Sequence, residues 1–230
     1  MKRIVQLQLL MVFGLSTVAS GQTLQVVRVQ TDDPAGYVAW AAESADVLLG
    51  GNPGAVTTCL PRFGGEDGVD AYWVASAPDT GTILSLDLNG PVVQRETGRV
   101  ADLRTVVARD IFLTVKTGRA IQAGDSWQQI AFFVDTDQPA RYLELVTELE
   151  RGFHANGLDD VFMEAHTMNS GDYAGKLHIA MQAPDGQRLG DALDASATAA
   201  WSNFASGDFD GVRTIVRALF IECTTHAVNP

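Results

Sequence analysis

The sequence has 230 residues, of which 46% are apolar, and it carries a formal net charge of −12 at pH 7. Binding to phosphate groups depends on clustered Lys and Arg side chains, so this acidic balance excludes nucleic acids and anionic membranes as expected partners. The apolar fraction is sufficient for one sizeable core or two small ones.

The first 21 residues have the pattern of a secretory signal peptide. Lys2 and Arg3 precede an apolar run over Ile4–Leu15, and small residues follow at Val18–Gly21. This run of about 12 residues is shorter than the roughly 20 that span a bilayer. We therefore expect cleavage near Gly21, a periplasmic or secreted protein, and no membrane anchoring of the mature chain.

The next segment predicts a unit with the element order β-α-β-β-α-β. Leu24–Val29 is rich in β-forming residues, and Thr31–Pro34 closes that strand and opens a helix that ends at Gly50-Gly51. Two strands around a Gly-rich turn follow. A helical or irregular stretch, interrupted at Gly90-Pro91, leads to a final strand over Leu103–Val115.

The same order of elements returns after a polar segment over residues 116–126. Trp127–Val134 predicts the first strand, Arg188–Phe204 a helix, and Val212–Cys223 the last strand. Five identities at a constant offset mark the duplication: Thr31/Thr136, Asp32/Asp137, Pro34/Pro139, Ala35/Ala140 and Tyr37/Tyr142. "APD" at Ala77 and Ala183, and "LRTVV" and "VRTIV" in the final strands, repeat in the same sequence order, which indicates two copies of one unit.

The element order β-α-β-β-α-β of each unit is the ferredoxin-like pattern. Two such units in one chain resemble the dimeric α/β-barrel superfamily in its fused tandem form. The resemblance implies an α+β fold in which two sheets close around a shared barrel, with a first unit over 22–115, a linker over 116–126 and a second unit over 127–230. Members of this superfamily include cofactor-independent monooxygenases, isomerases, haem-degrading enzymes and stress-related proteins, so the fold implies no single function.

Cys59 and Cys223 are the two cysteines of the sequence. In an oxidising compartment they favour one disulfide, with two free buried thiols or a redox centre as alternatives. In the fused barrel their strands are edge strands of different units, and these edges lie side by side. The resemblance therefore implies a Cys59–Cys223 bridge that joins the two units.

Strand parity identifies a polar cluster in the second unit. Alternate residues of a strand face opposite sides of the sheet, and one face of this hairpin carries Glu164, His166 and His178. A turn centred near Asp172 would place His166 and His178 opposite each other. At an offset of 106, the corresponding residues of the first unit are Thr58, Leu60 and Tyr72. Glu164, His166, His178 and Tyr72 are the predicted ligand-binding residues.

The chemistry of this cluster has several interpretations. Two His and one Glu could hold a divalent metal or supply a general base with an orienting partner, and they could equally be a polar lining. We expect no metal and no cofactor. Arg104 and Arg213 recur in the final strands, and an internal salt bridge to Asp is favoured for them over a carboxylate ligand.

The favoured function is binding of a small apolar or aromatic molecule in an aromatic-lined cavity. One alternative is a cofactor-independent monooxygenase or isomerase that uses Glu164, His166 and His178. Another is an envelope interaction protein without a cavity. A ligand site is expected to have a cavity of about 300 Å³ or more. The presence of such a cavity would distinguish the binding protein and the enzyme from the interaction protein.

Overall fold

The structure is a computed structural model that describes residues 22–87 and 89–230. The predicted signal peptide lies outside the described residues. The strands are β1 (Thr23–Gln30), β2 (Gly54–Phe63), β3 (Ala71–Ala77), β4 (Thr105–Lys116), β5 (Ser126–Asp135), β6 (Phe162–Met168), β7 (Leu177–Ala183) and β8 (Thr214–Asn229). The helices are α1 (Pro34–Leu49), α2 (Thr80–Leu84), α3 (Pro91–Gly98), α4 (Pro139–Ala155) and α5 (Gly186–Thr198).

The fold is α+β, with eight antiparallel strands in one closed barrel. The order around the barrel is β1-β3-β2-β8-β5-β7-β6-β4, and β4 pairs with β1 to close it. β8 pairs with both β2 and β5, so it joins strands from the two halves of the chain. It extends six residues beyond the predicted end at Cys223, because its pairing with β2 continues to Asn229.

The helices pack against the outer face of the barrel, with a larger core in the second half than in the first. α4 and α5 cover one apolar cluster that contains Val161, just before β6, and the outward side chains of β6 and β7, among them Met163, Ala165, Leu177, Ile179 and Met181. These are the residues that strand parity assigns to the helix-covered face. In the first half the buried outer residues form two smaller clusters around Tyr37 and Ala45.

Both long helices begin at the repeated Thr-Asp-x-Pro segment, but the shared Asp is not the N-cap. The N-cap residues are Asp33 and Gln138, and the carboxylate of Asp33 accepts a hydrogen bond from Gly36 N at 2.9 Å. The feature common to both copies is the Thr hydroxyl, which accepts from the N-cap amide: Thr31 Oγ1 from Asp33 N at 3.1 Å, and Thr136 Oγ1 from Gln138 N at 3.0 Å. The shared function of the segment is thus a Thr-stabilised turn before the helix.

The predicted disulfide is present. Cys59 on β2 and Cys223 on β8 are directly opposite in the antiparallel register, and their sulfur atoms are bonded. Because β2 belongs to the first half and β8 to the second, the bridge covalently joins the halves along the line where their strands pair.

The predicted salt bridges of Arg104 and Arg213 were wrong. Neither guanidinium forms an ion pair with a carboxylate in the described part of the chain. Arg104 Nη1 donates to the hydroxyl of Tyr37 at 3.3 Å, and Arg213 Nη1 donates to the hydroxyl of Tyr142 at 3.0 Å. Each guanidinium also lies over aromatic rings, where a planar cation is attracted by the ring face.

No helix in residues 22–87 and 89–230 is long and apolar enough to cross a membrane.

Candidate ligand-binding site

The interior of the barrel contains a cavity of about 140 Å³, which we call the barrel cavity. It is lined by the inward side chains of all eight strands, and most of its wall is apolar, including Val26, Phe112, Trp127, Phe133, Leu219 and Ile221. Its volume is below the 300 Å³ expected for a ligand site. It is close to the roughly 150 Å³ of a cavity that admits benzene, so it is large enough for one aromatic ring.

The three predicted polar residues of the second half lie together on one side of this cavity. His166 on β6 is directly opposite His178 on β7, and their ring centroids are 5.3 Å apart. Glu164 Oε2 lies 3.5 Å from Nε2 of His166, and it accepts a hydrogen bond from Gln182 Nε2 at 2.7 Å. Nδ1 of His166 lies 3.1 Å from Thr114 Oγ1 on β4, so both nitrogens of this imidazole have a neighbour.

His178 has a different environment from His166. Its ring is in contact with the rings of Phe112 and Phe133, with both centroids 5.4 Å away, and its Nδ1 is buried with no hydrogen-bond partner among the described residues. Burial, followed by the neighbouring His166, lowers the pKa of His178 to about 3. His178 is therefore a neutral imidazole at pH 7.

Glu164 remains a carboxylate in this environment. Burial alone would raise its pKa, but the nearby His166, the hydrogen bond from Gln182 and the charge of Lys116 outweigh that effect and hold the pKa below its ordinary value. The site thus combines one carboxylate, one oriented imidazole and one neutral imidazole on a single wall.

Tyr72 lies on β3 in the first half and also lines the barrel cavity. Its position in the first half corresponds to that of His178 in the second half. Tyr72 pairs with Arg28 on β1, and His178 pairs with Phe133 at the matching position of β5. Its hydroxyl is buried and has no hydrogen-bond partner within the described ranges. Burial, and then the nearby Glu66, raises the pKa of Tyr72, so it stays protonated.

The predicted correspondence of Glu164 and His166 with Thr58 and Leu60 was wrong by one residue. The inward residues of β2 are Thr57 and Cys59, and it is Cys59 that lies opposite Tyr72, as His166 lies opposite His178. The hairpin between β2 and β3 differs in length by one residue from that between β6 and β7, so an offset of 106 fits only the second strand of each hairpin. A cysteine of the disulfide thus occupies the position of His166 in the first half.

A second polar group of the barrel cavity was not predicted. Arg28 on β1 is buried, and its guanidinium forms ion pairs with Glu66 at 2.9 Å, with Asp110 at 3.1 Å and with Asp172 at 3.1 Å. Glu66 also pairs with Arg217 at 3.0 Å. The sequence signal was the parity of Arg28, which falls on the inward, otherwise apolar face of β1 with Leu24 and Val26.

This cluster closes one end of the barrel cavity. Asp172 and Tyr173 belong to the loop between β6 and β7, and the Tyr173 ring packs against Phe133 in a tilted arrangement with centroids 4.7 Å apart. Asp110 is buried, and burial raises its pKa even though Arg28 acts in the opposite direction. The loop of the second half is thereby attached to β1 and β4 of the first half.

In the described residues, no group of three or more His, Cys, Asp and Glu side chains is placed to hold a metal ion. Neither a protein-family model nor a curated protein sequence matches the chain.

Solved structures with the same fold do match it at low sequence identity. A proposed monooxygenase from Lactobacillus acidophilus has a TM-score of 0.59 and 11% identity, with 91% of this chain and 97% of that chain covered. A chlorite dismutase variant from Candidatus Nitrospira defluvii has a TM-score of 0.56 and 13% identity, with 88% and 91% covered. A haem-binding protein from Thermus thermophilus has a TM-score of 0.53 and 9% identity, with 89% and 91% covered. These neighbours are dimeric α/β-barrel proteins, and at such identities the similarity establishes that fold for the chain.

Proposed function

We propose that the barrel cavity binds a small aromatic molecule of about one ring that carries a polar substituent. One observation carries this proposal: Tyr72 Oη and His178 Nδ1 are buried in the wall of the barrel cavity, and neither has a hydrogen-bond partner in the described part of the chain. A buried polar atom without a partner costs about 1–3 kcal/mol. A ligand with a hydroxyl group would satisfy such an atom, while its ring would contact the apolar part of the wall of the barrel cavity.

The charge of the site favours a neutral ligand over an ionic one. His178 is neutral, with a pKa of about 3, and can accept or donate one hydrogen bond. The cations and carboxylates near Tyr72, which are Arg28, Glu66 and Asp110, already pair with one another. A phenol-like ligand therefore matches the available groups better than an organic acid or an amine.

A haem group does not fit this cavity. The haem-binding neighbour shares the fold, but a macrocycle of four linked pyrrole rings exceeds a space of about 140 Å³. Both ring nitrogens of His166 lie beside Thr114 and Glu164, and His178 is enclosed by aromatic rings. The proposed function therefore involves no haem chemistry.

A cofactor-independent oxygenase or isomerase is a second candidate function. It is favoured by the pair of Glu164 and His166, because an imidazole oriented by a carboxylate is the arrangement of a general base. In such a reaction this pair would accept a proton from the substrate, while His178, whose pKa is about 3, would orient the substrate without retaining the proton. The barrel cavity, at about 140 Å³, is below the roughly 300 Å³ that was to separate these two candidates from an interaction protein, so ligand binding itself is the test between them.

We further infer that the chain is an exported tandem duplication, with units over 22–115 and 127–230 and a linker over 116–126. The disulfide supports an oxidising compartment and hence removal of residues 1–21 during export. The strand order supports the duplication, because each half has its fourth strand beside its first and its third strand between its first and second. The repeated pairs of Tyr37 with Arg104 and Tyr142 with Arg213 support it independently.

Calorimetry on the disulfide-bonded chain tests the ligand proposal, with phenol and toluene as probes. Tyr72→Phe should weaken phenol binding about 5- to 10-fold, the equivalent of one hydrogen bond, and should leave toluene binding unchanged. Tyr142→Phe is the matched control, because its hydroxyl contacts Arg213 outside the barrel. Failure of both probes to bind, or equal phenol affinity in the Tyr72→Phe variant, would overturn the proposal.

Oxygen consumption with hydroquinone as the probe separates the enzyme from the binding protein. If the second candidate is correct, Glu164→Gln should abolish turnover and change phenol affinity less than twofold, since the side chain keeps its shape. Absence of turnover by the unmodified chain with this probe would argue for binding alone.

A further inference from the structure

The first half of the chain contains a second, larger hollow outside the barrel. We call it the outer pocket. It lies between the outer face of β1 and β3, helix α1 and the segment that includes α3, and it encloses about 610 Å³, within the range of small-molecule sites. None of its lining residues lines the barrel cavity, because it faces the opposite side of the same strands.

The second half provides an internal comparison for this space. There, Arg213 lies over four aromatic rings: those of Tyr142, Phe132, Phe204 and Phe209, with Phe209 at 4.6 Å and Phe204 at 5.2 Å. Phe204 and Phe209 come from the connection between α5 and β8, and Phe209 is part of the large core of that half.

In the first half the equivalent cation lacks these two rings. Arg104 lies over Tyr37 and over Trp40, at 5.7 and 4.9 Å, and it lines the outer pocket. Arg28 on β1 and Phe133 on β5 occupy matching positions, as their pairs with β3 and β7 show. The preceding residues therefore also match, so the smaller Val27 stands in the first half where Phe132 stands in the second. The chain thus leaves open, beside Arg104, a space that aromatic side chains fill in the second half.

The lining of the outer pocket combines two cations, Arg104 and Arg109, with uncharged polar groups and one carboxylate, that of Asp87. Nε1 of Trp73 is buried and has no hydrogen-bond partner in the described ranges, whereas Nε1 of Trp40 donates to the Glu96 carbonyl at 2.9 Å. Arg104 and Arg109 both line the pocket, and within the described residues neither forms an ion pair with a carboxylate. Two guanidinium groups without acidic partners are unexpected in a chain with a net charge of −12.

We propose that the outer pocket is a second binding site, specific for a planar aromatic carboxylate. The aromatic part of the ligand stacks on the guanidinium of Arg104, in the manner of Phe209 on Arg213. Its carboxylate binds Arg109 and accepts a hydrogen bond from Nε1 of Trp73. A guanidinium suits this ligand on both counts, because it stacks on ring faces and pairs with carboxylates in a planar geometry.

Titration calorimetry with 2-naphthoate and its neutral analogue 2-naphthalenemethanol tests this proposal on the disulfide-bonded chain. We expect 2-naphthoate to bind at least tenfold more tightly than the alcohol, as one charge-assisted hydrogen bond contributes about 1.5–3 kcal/mol. Arg109→Gln should remove that preference, and because Arg109 is exposed the variant should fold normally. Trp73→Phe should weaken 2-naphthoate binding about fivefold while it retains a ring at the same position.

Two further variants locate the site. Val27→Phe places in the first half the larger ring that the second half has at this position, and it should block 2-naphthoate. Tyr72→Phe, in the barrel cavity, should leave 2-naphthoate affinity unchanged. Equal binding of acid and alcohol, unchanged affinity in the Arg109→Gln variant, or loss of binding in the Tyr72→Phe variant would each overturn the proposal.

Discussion

His166 and His178 face each other across the β6–β7 pair with ring centroids 5.3 Å apart, inside the barrel. Two buried imidazoles at this distance cannot both carry a proton at low cost, because each charge disfavours the other. Glu164 Oε2 lies 3.5 Å from Nε2 of His166, while His178 is surrounded by Phe112 and Phe133. The wall of the barrel cavity therefore places the neutral ring where an apolar ligand would contact it.

The lowered pKa of His178 predicts a pH dependence of folding. Its pKa is about 3 in the folded chain, so below the unfolded value of about 6.5 the unfolded state takes up the proton first. The contribution of neutral His178 to stability is complete above pH 6.5 and decreases as the pH falls towards 3, with a slope of at most about 1.4 kcal/mol per pH unit. Urea unfolding at pH 7.5, 6.0 and 5.0 measures this slope.

His178→Gln should reduce the loss of unfolding free energy between pH 6.5 and pH 5, because the variant has no imidazole to protonate on unfolding. His154→Gln, which removes a histidine at an exposed helical position, is the control, and its pH profile should match that of the unmodified chain. Parallel pH profiles for the unmodified chain and the His178→Gln variant would show that His178 is not held neutral.

Strand parity alone was sufficient to predict the side of the sheet on which Glu164, His166 and His178 lie. It depends only on the alternation of side chains along a strand and on a turn centred near Asp172, and both features are local in sequence. The assignment of Leu60 as the counterpart of His166 was wrong because it depended on comparing two hairpins of different length. A difference of one residue in a hairpin loop reverses the inward and outward assignment of every residue beyond it.

The cluster around Arg28 could not be assembled from the sequence because its members are far apart in the chain. Arg28 is 38 residues from Glu66 and 144 residues from Asp172, and the two contacts require the barrel to be closed. The pattern of charges in the sequence carries no information about such distant partners. Parity along β1 could have placed Arg28 on the inward face, but the closed fold determines which carboxylates it meets.

The cluster around Arg28 allows a test of whether the burial of an ion pair or its distance determines its contribution to stability. Glu66 and Asp172 contact the same guanidinium at 2.9 and 3.1 Å, but their side chains are 6% and 78% exposed. Glu66→Ala should lower the unfolding free energy by about 3 kcal/mol, since it leaves buried Arg28 without its closest partner. Asp172→Ala should cost about 0.5 kcal/mol, because water replaces an exposed carboxylate. Equal effects in urea unfolding would show that the two ion pairs are equivalent.

The repeated pairs of Tyr and Arg should stabilise the two halves to different extents. Tyr142→Phe and Tyr37→Phe each remove a hydroxyl that accepts a hydrogen bond from a guanidinium, at 3.0 and 3.3 Å. We expect a loss of about 1–2 kcal/mol for Tyr142→Phe and a smaller loss for Tyr37→Phe, because the aromatic rings around Arg213 exclude more water than those around Arg104. Urea unfolding measures both variants, and a larger loss at Tyr37 would contradict this assignment.

The Cys59–Cys223 bridge should make a large contribution to stability because it joins distant parts of the chain. The two residues are 164 positions apart, and a loop of that length restricts the unfolded chain enough to contribute about 5 kcal/mol. Both cysteines also line the barrel cavity, so their replacement enlarges it slightly. We expect Cys59→Ala with Cys223→Ala to lower the unfolding free energy by about 5 kcal/mol in urea at pH 7. Reduction of the unmodified chain should give a similar loss without a change in side-chain volume. If the reduced chain and the double variant are as stable as the oxidised chain, the pairing of β2 with β8 is sufficient to hold the halves together.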